Sequence, residues 1–379
     1  MWLNNVTIVL PDQVIPCGAL QIEDEWIAAI HPRPLMNGIG DQLVDGRGLT
    51  VIPGLIDMHG DMIEQELEPR PGVQLPIPLA VVELDKRLAS CGVTTAYAGV
   101  AFWEPQSSTY RQRSATLARQ LTAAIHALQS ELLTDLRIHA RYEVSTPVVR
   151  PALREALESG VVQILSLMDH TPGQGQYRDR QQFNAIAVPV AESEAAQLER
   201  WRSAADLVDL ARNSGIVVAS HDDDTPAKIA LMAAMGVSLS EFPVTLEAAA
   251  AARSHGMMIA MGAPNALRGR SHLGNLSALH AIQSGYVDLL AADYAPIALL
   301  QAICAIVDAG ILPLPTAINL VSAGPAATLG LHDRGRIAVG FRADLAVVDL
   351  CRPGRVHATL RGGVPIYWDA RMAAGNNHL

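Results

Sequence analysis

Aromatic side chains make up only 4% of the 379 residues, so Ala, Val, Ile and Leu must fill the interior, as they do in the layered core of a parallel α/β barrel. Charged residues are few as well, 17% against 50% hydrophobic, and a chain this apolar does not stay disordered. Long apolar runs are missing: none approaches about 18 uninterrupted residues, and the opening MWLNNVTIVLPDQ has no basic region ahead of an apolar one. Neither a membrane span nor a secretion signal is expected. The four cysteines, Cys17, Cys91, Cys304 and Cys351, lie far apart with no C-x-x-C pair, which sets aside a zinc knuckle or a disulfide framework and points to a reducing cytoplasm. Basic charge is in deficit, with 28 Lys and Arg against 38 Asp and Glu and a net charge of −10. A nucleic-acid or anionic-membrane partner would need a broad basic surface, so neither is expected. A small anionic substrate is compatible with this balance if local Arg, Lys, His or metal charge holds it in a cleft.

What is present falls into two textures. Residues 1–50 alternate short β-like runs with Pro, Gly and Asp punctuation, and 335–379 return to that style, so the two ends are expected to pair into one small β-sandwich domain. Between them, over 51–334, apolar runs of strand length alternate with Ala-, Leu-, Glu- and Arg-rich helical segments. The candidate strands are 51–59, 93–99, 137–143, 161–168, 215–220, 237–242, 257–261 and 287–292. Eight such units close into a (β/α)₈ barrel, whose active site lies at the C-terminal ends of the strands. The Ala-rich run 246–252 reads as ordinary helix.

Metal-binding residue types gather at those ends. The first strand stops in Asp57-Met58-His59-Gly60-Asp61, where the i, i+2 spacing turns His59 and Asp61 to one side. The third ends in Arg141-Tyr142-Glu143, the fourth in Asp169-His170, the fifth in Ser220-His221-Asp222-Asp223 and the eighth in Ala292-Asp293-Tyr294. Each residue alone is also what a cap or a hydrogen-bonded structural group looks like. Together they match the mixed oxygen and nitrogen demand of one or two divalent ions, with Zn²⁺ favoured and Mn²⁺, Fe²⁺ or Ni²⁺ as alternatives.

Gly54-Leu55-Ile56-Asp57-Met58-His59 resembles the first-strand motif of the amidohydrolase superfamily, with Asp61 where the usual second His stands. A phosphonate-pathway subgroup is similar at that point and through Pro69-Arg70-Pro71, 166–174, 219–223, Glu241-Phe242-Pro243 and 261–265 with Arg268-Gly269. The resemblance implies a (β/α)₈ barrel with a β-sandwich from both chain ends. It implies His59 and Asp61 at a first metal, Glu143 as a bridging carboxylate, His170 and His221 at a second metal, and Asp293 beside the attacking water. Many superfamily members bridge through a carboxylated Lys from the fourth strand; here only Lys228, after the fifth, lies near a strand end. The activity implied is hydrolysis of the 5-triphosphate of a ribosyl phosphonate to the 5-phosphate and pyrophosphate.

A triphosphate needs cations beyond the metal. The segment 266–275 offers Arg268, His272 and Asn275 among glycines, although a solvated basic loop would look similar. Arg70, stiffened between prolines, is a second candidate clamp or a rigid surface turn. Gln174 and Gln176 could hydrogen-bond ribose or phosphonate oxygens, or belong to a flexible loop. Two rival classes stand beside this reading: an amidohydrolase acting on a cyclic amide, an N-acyl group or a nucleobase amine, and a noncatalytic barrel with a structural role. The Arg268 loop separates the first from phosphoanhydride chemistry. A homodimer is compatible with the sequence.

Overall fold

A computed structural model describes residues 1–36, 43–104, 113–178, 193–271, 273–351 and 353–373. β1 (Trp2–Val9), β2 (Val14–Glu23) and β3 (Trp26–His31) form an antiparallel meander, while β4 (Leu43–Asp45) and β5 (Thr50–Pro53) run parallel to β1. From the other end of the chain, β14 (Leu345–Asp349), β15 (Arg355–Arg361) and β16 (Val364–Trp368) join antiparallel through β5. The result is one mixed sheet in the order β16-β15-β14-β5-β1-β2-β3, with β4 also on β1. It encloses its own core, in which Leu3, Val6 and Ile8 pack with Leu20, Ile27, Val347 and Leu360.

The central segment forms eight parallel strands in sequence order: β6 (Leu55–Gly60), β7 (Val93–Phe102), β8 (Asp135–Glu143), β9 (Val162–Met168), β10 (Val217–His221), β11 (Leu239–Glu241), β12 (Met258–Gly262) and β13 (Leu289–Ala291). A parallel bridge between Gly60 and Asp293 closes the barrel, with Asp293 N–H donating to His59 O at 2.9 Å and Asp61 N–H to Asp293 O at 2.7 Å. Small and aliphatic side chains fill its interior, as the shortage of aromatics requires. Met58, Ile164, Ala219, Leu239, Ala260, Leu289 and Ala291 surround a single Tyr97 in one buried cluster. A larger apolar layer packs the outer faces of the strands against the surrounding helices.

The run 51–59, expected as one strand, is two. Gly54 separates β5, which belongs to the mixed sheet, from β6, which begins the barrel. A Cβ on Gly54 would lie 2.4 Å from Thr94 Oγ1 and 2.5 Å from Thr94 Cγ2, so only glycine lets the chain pass this close to β7. Arg334 ties the two sheets together nearby: it reaches Asp135 Oδ2 at 2.9 Å and Thr95 Oγ1 at 3.1 Å at the start of the barrel, and Asp344 Oδ2 at 3.6 Å just before β14. Among the described residues no helix is long and apolar enough to cross a membrane.

Candidate metal centre and substrate cavity

The strand ends converge. Asp57 braces the end of β6 by accepting from His59 N–H at 3.2 Å and from Ala292 N–H at 2.8 Å, which fixes β6 against the last strand. His59, wholly buried, points its Nε2 at Asp61 Oδ1 and its Nδ1 at Glu241 Oε2, both at 3.3 Å. Its ring lies nearly parallel to that of His221, with centroids 5.2 Å apart. Glu241 Oε2 is also 3.2 Å from His221 Nδ1 and accepts from Ser166 Oγ at 2.7 Å. Donor atoms of His59, His221 and Glu241 lie within 4.8 Å of one another, and so do those of His170, His221 and Asp222. His221 is common to both groups.

Whether these residues suit a metal is tested by what is left unsatisfied. Among the described residues neither ring nitrogen of His59 makes a well-aligned hydrogen bond, nor does Glu241 Oε1, although all three are buried. Each stranded group would cost about 1–3 kcal/mol if nothing else engaged it. The local field favours positive charge as well: burial would lower the His59 pKa, yet Glu241 and Asp61 outweigh it and raise it to about 10. Imidazole and carboxylate donors gathered around a buried point are the set a divalent ion takes, and the residues fit one or two such ions.

The rest of the electrostatics follows from burial and pairing. Asp61 is held far below the usual carboxylate range; burial opposes this, and the Arg141 guanidinium and then His59 overcome it. Burial pushes Asp293 up to about 7, and the charge on Asp61 adds to the effect. Burial pulls His139 down to about 3, so this imidazole stays neutral beside Ser166 Oγ, 2.6 Å from its Nε2. Three strand ends leave in left-handed conformations that non-glycine residues seldom adopt: Asp222, Phe242 and Asp293, with φ of 53°, 56° and 56°. The first two directly follow His221 and Glu241, and all three border the cavity above the donors.

Above the donors lies a cavity of about 460 Å³, bordered by Asp61, His170, His221, Asp222 and Asp293. Among the described residues three guanidiniums reach it. Arg141 is paired with Asp61, and Arg113 is paired with Glu64 at 2.6 Å and lies over the Trp103 ring. Arg268 lines the wall with only its Nε engaged, on Pro264 O at 3.2 Å, and no carboxylate pairs with it among the described residues. Asn275 also lines the wall and donates to Gln176 O at 3.2 Å.

The other residues singled out from sequence are distributed as follows. Glu143 lies outside both donor groups and behind His170, its Oε2 at 2.6 Å from Nδ1 and its Oε1 accepting from the His170 N–H at 3.0 Å. Asp293 sits on the cavity wall, also outside those groups. Gln174 is buried away from the wall, and Arg70 is exposed in a turn closed by Val73 N–H on Arg70 O. His272 lies outside the described residues. Sequence reasoning gave no role to Glu241, Asp222, His139 or Arg141. A signal for two of them was available: His139, Arg141 and Glu143 stand at i, i+2 and i+4 of β8, one face of one strand.

The chain is 34% identical over 364 residues to the alpha-D-ribose 1-methylphosphonate 5-triphosphate diphosphatase of Escherichia coli (strain K12), a match covering 92% of this chain and 94% of that one. This chain belongs to the amidohydrolase superfamily. A sequence profile of the amidohydrolase family matches residues 308–367. Among solved structures, the 5-methylcytosine deaminase of Klebsiella pneumoniae is similar with a TM-score of 0.71 at 16% identity, covering 97% of this chain and 98% of that one. The dihydropyrimidinase of Brevibacillus agri NCHU1002 is similar with a TM-score of 0.65 at 14% identity, covering 97% and 95%. At such identities these two show the shared fold alone. Superfamily membership and the buried His and Glu donors make the chain a metal-dependent hydrolase.

Proposed function

We propose that this amidohydrolase cleaves the triphosphate of alpha-D-ribose 1-methylphosphonate 5-triphosphate, giving the 5-phosphate and pyrophosphate. The observation that carries the reading is Arg268, a cavity-wall guanidinium with no carboxylate partner among the described residues, beside the donor cluster. A neutral cyclic amide or nucleobase makes no charge-assisted pair with such a cation, whereas a polyphosphate does, and this local positive group stands against the chain's overall negative charge. The near full-length likeness to the Escherichia coli diphosphatase supports the same substrate class.

His59, His221 and Glu241, with His170 and Asp222, would hold the metal. When bound, a divalent ion, Zn²⁺ by preference for this donor set, supplies acidification of water and neutralisation of phosphoryl charge. The chain's own groups do the remainder. Asp293, on the cavity wall, orients the attacking water and accepts its proton on a carboxylate oxygen. Arg268 grips the phosphate oxygens, and Asn275, steadied by Gln176 O, presents its amide beside them. Arg141 stays with Asp61 and fixes that carboxylate beside His59.

The test is to incubate the Zn²⁺-loaded protein with the ribosyl methylphosphonate triphosphate and, separately, with a panel of cyclic amides, N-acyl amines and aminopyrimidines, following phosphorus NMR and amine release. Pyrophosphate from the triphosphate is expected. Turnover of the amide panel with no pyrophosphate would overturn the reading.

A further inference from the structure

Lysine is an unusual residue to find buried in the first turn of a helix, where the N-terminal dipole repels a cation. Lys228 sits there, three residues into the helix capped by Thr225, and is only 6% exposed. Specific partners hold it. Its Nζ donates to the main-chain carbonyl of His221 at 2.8 Å, lies 3.1 Å from Asp223 Oδ1, and packs 4.3 Å from the centre of the buried Trp201 ring. The other oxygen of Asp223, wholly buried, accepts from Ser220 Oγ at 2.6 Å and from Ser240 Oγ.

Register gives this network its meaning. Ser220 is paired with Ser240 and His221 with Glu241 across β10 and β11. Side chains alternate along a strand, so the two serines face away from the barrel axis while His221 and Glu241 face the donor cluster. Asp223 therefore staples the two strands on one face at the position where they present His221 and Glu241 on the other. Between His221 and Asp223 stands Asp222 in its left-handed conformation, donating its N–H to Glu241 O at 2.9 Å. With Lys228 on the His221 carbonyl and on the Asp223 carboxylate, both neighbours of this strained residue are fixed.

We propose that Lys228 and Asp223 are a positioning pair: an ion pair buried behind β10 and β11 that sets the spacing of His221, Glu241 and Asp222 for the divalent ion. The pair touches neither ion nor substrate and acts through the ligands. The inference rests on His221 and Glu241 as metal ligands and is independent of which substrate is cleaved.

The experiment compares the full-length wild type with Lys228→Met, Asp223→Asn, the double variant and His221→Ala, measuring Zn²⁺ affinity by chelator competition and thermal melting of each. Lys228→Met keeps the apolar stem against Trp201 but strands Asp223, so melting temperature and affinity should both fall, the latter by about 10- to 100-fold. The double variant leaves no unpaired charge, so its melting temperature should recover towards wild type while its Zn²⁺ affinity stays depressed. Recovery of both, wild-type affinity in Lys228→Met, or failure of the double variant to fold would overturn the inference and leave the pair a purely structural one. His221→Ala is the separate control: wild-type affinity there would overturn the metal assignment itself.

Discussion

Glu143 Oε2 lies 2.6 Å from His170 Nδ1, and this one contact decides which nitrogen of His170 is turned towards the cavity. A carboxylate on one ring nitrogen fixes the tautomer and makes the other nitrogen the better ligand. Glu143→Gln should therefore lower metal affinity by about 10- to 100-fold while leaving the protein folded, since Gln fills the same space. Chelator competition with circular dichroism checks it, and unchanged affinity would remove Glu143 from this role.

Asp293→Asn separates acid–base work from binding. The amide cannot take a proton, so turnover should fall by about 100-fold or more, the usual worth of a positioned base. Metal content, measured by atomic absorption, should stay near wild type because Asp293 lies outside both donor groups. Near-normal turnover would assign the proton to another group.

Arg268→Ala should raise KM for the triphosphate by about 10- to 100-fold, the equivalent of one charge-assisted hydrogen bond of about 1.5–3 kcal/mol. A small uncharged ester should lose far less. Steady-state kinetics on both distinguish a phosphate clamp from a wall residue, because equal losses would mean general damage to the cavity.

Arg334 predicts a stability effect remote from chemistry. Its side chain is 10% exposed and serves Asp135, Asp333 and Asp344 at once. Arg334→Met would remove one of two guanidiniums from each of the buried carboxylates, Asp135 keeping Arg137 and Asp344 keeping Arg342, and should cost about 1.5–3 kcal/mol in urea unfolding. The metal centre lies at the opposite ends of the strands, so kcat of the surviving folded fraction should not change.

Removing the metal should loosen the whole protein. Restoring Zn²⁺ at roughly a thousand times its Kd returns about 4 kcal/mol to the folded state, so the melting temperature should track free Zn²⁺. A melting temperature indifferent to chelation would contradict the stranded donors of His59 and Glu241.

The barrel was legible in the sequence because buried parallel strands are continuous apolar runs, and alternation with helical segments leaves few topologies to consider. The break at Gly54 was not, since strand periodicity runs unbroken through 51–59 and only the approach of Thr94 reveals the change of sheet. His59, His170 and His221 stood out because imidazole and carboxylate side chains recur together at or just beyond the strand ends. Glu241 passed unassigned for the opposite reason. A lone glutamate closing a three-residue strand looks like any cap, and its importance arises from the rings of His59, His139 and His221 around it, which come from three other strands. Arg113 and Arg141 likewise acquire meaning only through partners far away in the chain, Glu64 and Asp61.

The seam where Gly60 meets Asp293 has a bearing on maturation. Asp57 and Ala292, joined across it, are 235 positions apart, so the first and last staves of the barrel are brought side by side only when almost the entire central segment has been synthesised. A nascent chain still lacking its eighth stave holds His59 and His221 without the wall that carries Asp293. Closure of the ring around the donor cluster is thus a late event in the life of the polypeptide.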